Sequence, residues 1–247
     1  MIKMKILELF SGTGSFSTVA KERGHEVFTI DFDKQFNPDL CVDIMEVTPE
    51  MVVSKLGIPD VIWASPPCQK FSIMRVYQNW EKLGEGKYKP KNPETKKAIK
   101  LIKHTLDIIS KLHPKIWIIE NPRAMLRKQN FMPNNNRKTV TYCKYGFTYQ
   151  KATDIWTNLN NWQPKEPCSA NMPCHVRAPR GSRTGIQGMD GFRENRKQKH
   201  PVDISRMNKG HEDFIRRPNW DGKQRALRGM IPPELCLEII KCCEKVV

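Results

Sequence analysis

The sequence predicts an α/β fold of the doubly wound, nucleotide-binding kind, and three observations predict it. Lys5-Ile-Leu-Glu-Leu-Phe10 is a strand that runs into a tight Ser11-Gly-Thr-Gly14 turn and then a helix from Ser15 to about Arg23. Val27-Phe-Thr-Ile30 is a second strand that closes on Asp31. Further short apolar runs follow at 60–64 and 115–119, with helical spacing between them. Apolar strands alternating with amphipathic helices make a mostly parallel sheet covered on both faces.

Taken in order, each element adds a constraint. Glycines at the first turn let the backbone approach a ligand, and an acid ending the second strand is placed to bind ribose hydroxyls. The third glycine of a dinucleotide fingerprint is Ser17 here, so a cofactor with a ribose but no phosphates fits better than a pyrophosphate. Leu40-Cys-Val-Asp-Ile44 reads as a third strand end carrying Asp43, and Pro49 to Leu56 as a helix. Asp60 to Ala64 is a buried strand that Ser65-Pro66-Pro67 stops, and the proline pair holds Cys68 at a defined exit. In that place Cys68 is either a presented nucleophile or a small buried residue beside a turn. The polar stretch Gln69 to Asn92 is long for a connection, which makes it a lid, a binding loop or disordered.

Pro93 to His113 shows helical spacing, with Ile99, Ile102, Leu106, Ile109 and Leu112 on one stripe. Lys115 to Ile119 is a strand ending in Glu120-Asn121-Pro122, at the sheet edge where α/β folds gather ligands. Cys68 and Glu120 can therefore share one cleft. Thr139 to Cys143 and Thr153 to Thr157 read as a hairpin across Lys144-Tyr-Gly-Phe. From Leu159 to Arg228 the chain is polar and irregular, and a last helix from Pro232 to about Val246 returns to the core.

The formal net charge of +16 points to a polyanionic partner, most simply nucleic acid. Between Arg177 and Arg228 there are 14 Lys or Arg against 6 Asp or Glu, which makes this the expected nucleic-acid face. Met1-Ile-Lys-Met-Lys-Ile runs straight into a strand pattern, and no apolar run approaches the ~18 residues of a membrane span. A cytoplasmic, soluble chain with reduced thiols is expected.

A cysteine nucleophile, a neighbouring carboxylate, a ribose cleft without phosphates and a basic appendage suggest group transfer from a nucleoside cofactor to a nucleic acid. Pyrimidine C5 is a poor nucleophile until something adds at C6, and a thiolate suits that step. A carboxylate can then hold N3 and the exocyclic amine as charge develops. A base in a duplex is reached only after it is flipped from the stack.

Leu9-Phe-Ser-Gly-Thr-Gly14, Ser65-Pro-Pro-Cys-Gln69 with Phe71-Ser72, and Glu120-Asn121, in that order and spacing, resemble the motifs of the cytosine-C5 DNA methyltransferases, and among them the compact phage-type members. The resemblance covers roughly residues 4 to 158 and the last helix. It implies a Rossmann-like S-adenosylmethionine-dependent methyltransferase fold with a small, mostly irregular target-recognition segment. The implied divisions are a catalytic domain at 1–158, target recognition at 159–228, and 229–247 as a helix packing back. It further implies that Cys68 attacks C6 of a flipped cytosine and that Glu120 engages N3. Phe10, Gly12, Gly14 and Pro66 would surround S-adenosylmethionine, Asp31 would bind its ribose, Phe32 would stack on adenine and Asp43 would contact the adenine edge. The implied partner is double-stranded DNA, bound by a monomer in the cytoplasm, that of the host cell if the gene is a phage's. The family's arginine motif after the glutamate is absent, and Tyr149-Gln-Lys-Ala-Thr-Asp154 offers only Lys151 for that third catalytic role. An RNA substrate, or a silent DNA-binding relative that kept the fold, stays open.

In the polar segment Cys168, Cys174 and His175, with Cys143 upstream on a predicted strand, are the ligand types of a structural zinc site. Free thiols beside an exposed histidine are the other reading. Arg180 and Arg183, set among small residues, are candidates for guanine or phosphate contacts, and Arg75 for the DNA backbone beyond the nucleophile.

Overall fold

In the computed structural model, residues 2–147, 149–169, 172–175 and 229–247 are described. The elements are β1 (Lys5–Leu9), α1 (Ser15–Glu22), β2 (Glu26–Asp31), β3 (Leu40–Cys41), α2 (Pro49–Leu56), β4 (Val61–Ala64), α3 (Val76–Asn79), β5 (Trp80–Gly84), β6 (Lys87–Pro90), α4 (Pro93–Leu112), β7 (Ile116–Pro122), β8 (Arg137–Thr141), β9 (Ala152–Thr157) and α5 (Pro233–Cys243). Seven strands form one sheet in the order β3-β2-β1-β4-β7-β9-β8. The first five run parallel, β9 is antiparallel to β7, and β8 is antiparallel to β9.

The chain leaves β1 toward β2 and β3 on one side and resumes at β4 and β7 on the other, so the sheet's switch point lies between β1 and β4. Ligands of open α/β sheets bind outside the strand carboxyl ends at that point. The loops that open there are Phe10–Gly14 and Ser65–Cys68. All four residues of β4 are buried, as a strand covered on both faces requires.

Period-two alternation splits the core into two layers. Met4, Ile6, Val61, Trp63, Ile116 and Ile118 face α1 and α5. Leu7, Leu9, Ile62, Ala64 and Ile119 face the side of α2 and α4. Phe16 of α1 stacks on Trp63 at 4.3 Å between ring centroids. The last helix is bound to α1's end by Arg23, whose Nε donates to Glu244 at 2.6 Å, while His25 Nε2 lies 2.9 Å from the same carboxylate. Arg23 first, and His25 after it, hold the Glu244 carboxyl below its ordinary range. Pro93 at the start of α4 follows Asn92, whose side chain accepts from Thr95 N–H at 2.8 Å.

Several elements differ from the sequence reading. The stretch from Gln69 to Asn92 is not a plain loop: it holds α3 and the β5–β6 hairpin, whose surface-facing residues are too polar to show strand periodicity. β3 is only two residues long, and Asp43 lies beyond it, accepting from Met45 N–H at 2.9 Å to cap a single 3-10 turn. The final helix ends at Cys243. Leu159 and Trp162 belong to the α1–α5 layer of the core. No helix among the described residues is long and apolar enough to cross a membrane.

One core residue is acidic. Glu8 of β1 is buried and accepts from Ser17 N–H in the first turn of α1 at 2.9 Å. Burial pushes its carboxyl up from 4.5 to about 7, against the opposing pull of Ser17 and Phe16. The folded chain therefore holds a proton between about pH 4.5 and pH 7 that the unfolded chain has released. Stability from this group is complete below 4.5 and declines as pH rises through about 7. Glu8→Gln should flatten that decline, by up to ~3 kcal/mol at pH 8, with little change at pH 4.5. Thermal melts across this range check it, and parallel curves for the two proteins would refute it.

Candidate active site

β4 delivers Cys68 through Ser65-Pro66-Pro67, and the loop is bound at both ends. Ser65 N–H donates to Leu9 O at 3.2 Å, and Phe71 N–H donates to Cys68 O at 3.0 Å. Between them Asn121 Nδ2 donates to the buried Pro66 carbonyl at 2.9 Å. Asn121, one residue beyond Glu120, therefore ties the cysteine loop to β7. Prolines carry no N–H of their own, so an external donor to their carbonyl is what fixes this loop. The sequence motif contained Asn121 without showing this role.

Glu120 stands near the carboxyl end of β7, which runs on to Pro122 against β9. Its side chain points to the α1–α5 face and is 5 % exposed. Tyr142 Oη donates to Glu120 Oε1 at 2.8 Å. Burial raises the Glu120 carboxyl above its usual range, Lys151 and Tyr142 pull it back, and Asp154 adds to the rise. Lys151 Nζ sits 4.6 Å from the centre of the Tyr142 ring.

Cys68 is half-buried, and burial pushes its thiol up. The Lys151 ammonium opposes that shift and the Glu120 carboxylate adds to it. Cys68, Glu120 and Lys151, brought from three separate stretches, are therefore near enough for their charges to act on one another. Tyr142 was missed in the sequence, although alternation with the buried Val140 marks it as inward-facing. Tyr149, also buried, has a hydroxyl with no partner among the described residues. Asp154, fully buried, accepts from Arg127 Nε at 2.7 Å and from Thr139 Oγ1 at 2.9 Å. No spacing rule links Arg127 to Asp154, which meet only through the β7–β9 pairing.

A pocket of about 180 Å³ lies on the other side of the switch point, lined by Phe10, Ile30, Asp31, Phe32, Val42, Asp43, Ile44, Pro67 and Leu101. Four of the residues named from sequence, Phe10, Asp31, Phe32 and Asp43, are thus brought together. Pro67 lines it, whereas Pro66 turns its carbonyl to Asn121. Gly12 N–H donates to Asp31 Oδ2 at 2.9 Å, and Gly14 precedes α1 with φ of 65°. Burial raises the Asp31 carboxyl, while N–H groups of Asp33 and Gly12 pull it down. Two acids and an exposed phenylalanine suit a ribose and a flat base, and they would repel phosphates.

A groove of about 620 Å³ opens between the segments leaving Cys68 and Glu120, with Lys82, Lys91, Arg123, Arg127 and Lys128 on its walls. Arg75 is exposed at the end of a 3-10 turn beyond Cys68. Arg180 and Arg183, and the basic stretch around them, lie outside the described residues.

The four predicted metal ligands also converge. Cys143, Cys168, Cys174 and His175 offer ligand atoms that all lie within 4.8 Å of one another, a group that can hold a metal ion. Cys143 sits on a 3-10 turn after β8, not on the strand, because β8 ends at Thr141. His175 is buried rather than exposed. The His175 ring, and after it Cys168, lower the Cys174 thiol to about 7.

The family profile described as C-5 cytosine-specific DNA methylase matches residues 4–151. Over 245 residues the chain is 29 % identical to a protein of Frog virus 3 (isolate Goorha) described as a "probable DNA (cytosine-5)-methyltransferase", covering 97 % of this chain and 100 % of that one. Among solved structures it resembles the Entamoeba histolytica methyltransferase EhMeth, with a TM-score of 0.54, 12 % identity and 99 % of each chain covered. It also resembles a Spodoptera frugiperda DNMT2 variant, with a TM-score of 0.50, 14 % identity and 98 % of this chain and 100 % of that chain covered. At these identities the solved structures speak for the fold.

The charges around Cys68 predict its reactivity. Lys151→Met removes the charge favouring the thiolate and should slow iodoacetamide alkylation of Cys68 at pH 8, whereas Glu120→Gln should quicken it, each by roughly three- to tenfold. Peptide mass spectrometry reads the rates at this one thiol. Equal rates in all three proteins would show that neither charge reaches Cys68.

Proposed function

The chain belongs to the C-5 cytosine-specific DNA methylase family, and on that premise we propose that it methylates C5 of a flipped cytosine in double-stranded DNA through a covalent adduct at Cys68. The single observation that carries this reading is geometric: Asn121 binds the Cys68 loop through Pro66 O to the strand bearing Glu120, and that carboxyl accepts from Tyr142, over whose ring Lys151 sits, beside an acidic, aromatic pocket.

Cys68 adds through sulfur to C6, and the C5–C6 π pair moves toward C5. Glu120, with a carboxyl raised by burial, gives a proton to N3 and accepts from the exocyclic amine, so the ring's new charge is met as it forms. Tyr142 keeps the carboxyl in place by donating to Oε1. Lys151 stabilises the thiolate before addition and fills the role that an arginine holds elsewhere in the family. S-Adenosylmethionine, when bound, supplies an electrophilic methyl group on a sulfonium. Were that methyl to pass to C5, its bond to sulfur would break to leave a neutral thioether, the C5 proton would then leave to water, its C–H pair would restore the double bond, and the Cys68 thiolate would be expelled. The N3 proton returns to Glu120, which closes the cycle.

Asp31 would hold the ribose, Phe32 the adenine face and Asp43 its edge, with Phe10, Gly12 and Gly14 framing the cofactor. The +16 charge and the Lys82–Lys128 groove support DNA as the substrate, with Arg75, Arg180 and Arg183 as further backbone or base contacts. In the same reading 159–228 recognises the target and the protein acts as a monomer.

For the thiol–imidazole group we propose structural zinc. A tetrahedral ion with Zn–S of about 2.3 Å sets sulfurs about 3.7 Å apart and a sulfur about 3.5 Å from a ligating nitrogen. Cys174 Sγ lies 3.7 Å from Cys143 Sγ and 3.1 Å from Cys168 Sγ, and His175 Nδ1 lies 3.4 and 3.8 Å from Cys168 and Cys174.

Methyl-labelled S-adenosylmethionine with duplex DNA tests the reaction. Label should appear in 5-methylcytosine after digestion, and Cys68→Ser should lower the rate roughly a thousandfold or more. Label on RNA alone would replace the substrate, and cofactor binding without any transfer would overturn the enzymatic reading.

A further inference from the structure

The thiol–imidazole group is built against the back of the active-site wall. Cys143 follows Tyr142 directly on the 3-10 turn. Cys168 N–H donates to Thr141 Oγ1 at 2.7 Å, one residue before Tyr142. Gln150, one residue before Lys151, donates through Nε2 to Cys168 O at 2.8 Å. Tyr142 N–H in turn donates to Lys151 O at 3.1 Å, which joins the two sides of this connection. Thus Tyr142 and Lys151, the two side chains that pull the Glu120 carboxyl back down, are each flanked by residues bonded to the ligand-bearing segment.

That segment has no helix or strand of its own at 165–169, and a bend or turn at 173–175. Nothing regular in its backbone fixes it, yet three thiols and an imidazole meet within 4.8 Å. Ordering such a segment costs about 1–2 kcal/mol per residue in backbone entropy, which a metal bound by four side chains offsets. His175, buried, turns its Nδ1 to within 3.4 and 3.8 Å of the Cys168 and Cys174 sulfurs, so a metal among those three atoms would hold the ring inside.

We propose that the zinc ion is a positioning device for the active site, and not only a staple for the target-recognition segment: it clamps 168–175 to the 141–151 connection and so sets Tyr142 on Glu120. Tyr142 is then a positioning residue acting through the carboxylate, and the four ligands act through Tyr142. This rests on the zinc reading above, and a staple alone would have another signature. A staple lost weakens DNA binding and leaves the bound complex to react as before. A clamp lost slows the bound complex.

The full-length chain is purified without chelator and compared with Cys174→Ser, Tyr142→Phe, their double variant, and His175→Cys, which keeps four zinc donors. Metal analysis should find about one zinc per chain in the wild type and in His175→Cys, and less than about a tenth of that in Cys174→Ser. Hydrogen exchange over residues 141–151 should quicken in Cys174→Ser, while β1, α1 and β4 stay protected. Cys174→Ser and Tyr142→Phe should each lower kcat by roughly tenfold with KM for S-adenosylmethionine unchanged, and the double variant should fall no further than either alone.

The absence of zinc from the wild type would overturn the proposal. So would exchange over 141–151 that is indifferent to its loss, or kcat losses that multiply in the double variant. Should the wild type transfer no methyl group, the catalytic reading fails separately, and zinc content together with exchange still decides this one.

Discussion

The structure turns on the burial of one carboxylate. Taking Glu120 out of water would expel its charge unless partners met it, since an isolated buried carboxylate costs several kcal/mol or more. Tyr142 and Lys151 meet it from the two ends of the β8–β9 connection, and Asn121 beside it reaches across to Pro66. The sheet's last parallel strand, its antiparallel extension and the cysteine loop are therefore held by groups within two residues of Glu120 or bonded to it.

The same physics recurs at β1. Glu8 is a second buried acid on the same face of the sheet, fixed by the first turn of α1 as Glu120 is fixed by Tyr142. Its contact sets the angle at which the glycine turn enters the helix, and that turn shapes the cofactor side of the switch point. Two acids in one apolar layer are a liability to stability that an ordinary core would avoid. In the proposed reaction they would anchor the two half-sites, one for the cofactor loop and one for the reacting base.

Much of this was legible in the chain itself. Strand-turn-helix-strand at 5–31 follows from apolar runs broken only by Glu8 and Thr29 and from glycines where the backbone turns back, and 93–112 follows from its apolar stripe at helical spacing. Cys68 and Glu120 could be named because one follows a proline pair just past a buried strand and the other stands at a strand's carboxyl end, so that each supports the other as half of one site. What was hidden is non-local. The β5–β6 hairpin lacks a core-facing stripe, the Arg127–Asp154 pair spans 27 residues, and Tyr142 meets Glu120 only because β9 lies between β7 and β8. Cys143 could be named as a ligand from its type, but Cys168 reaches it from beyond β9, through a stretch at 163–169 with no helix or strand.

The account stands or falls on a covalent bond between Cys68 and C6 of cytosine, and the most direct measurement is to stop the reaction at that bond. Duplexes of mixed sequence carrying 5-fluorocytosine in place of cytosine, mixed with the protein and S-adenosylmethionine, cannot complete the cycle because fluorine does not leave C5 as a proton would. A denaturation-resistant adduct should form, depend on S-adenosylmethionine, map to the peptide containing Cys68, and vanish in Cys68→Ser. Methyl transfer to ordinary cytosine with no adduct on the fluorinated duplex, or an adduct on any other residue, would contradict it.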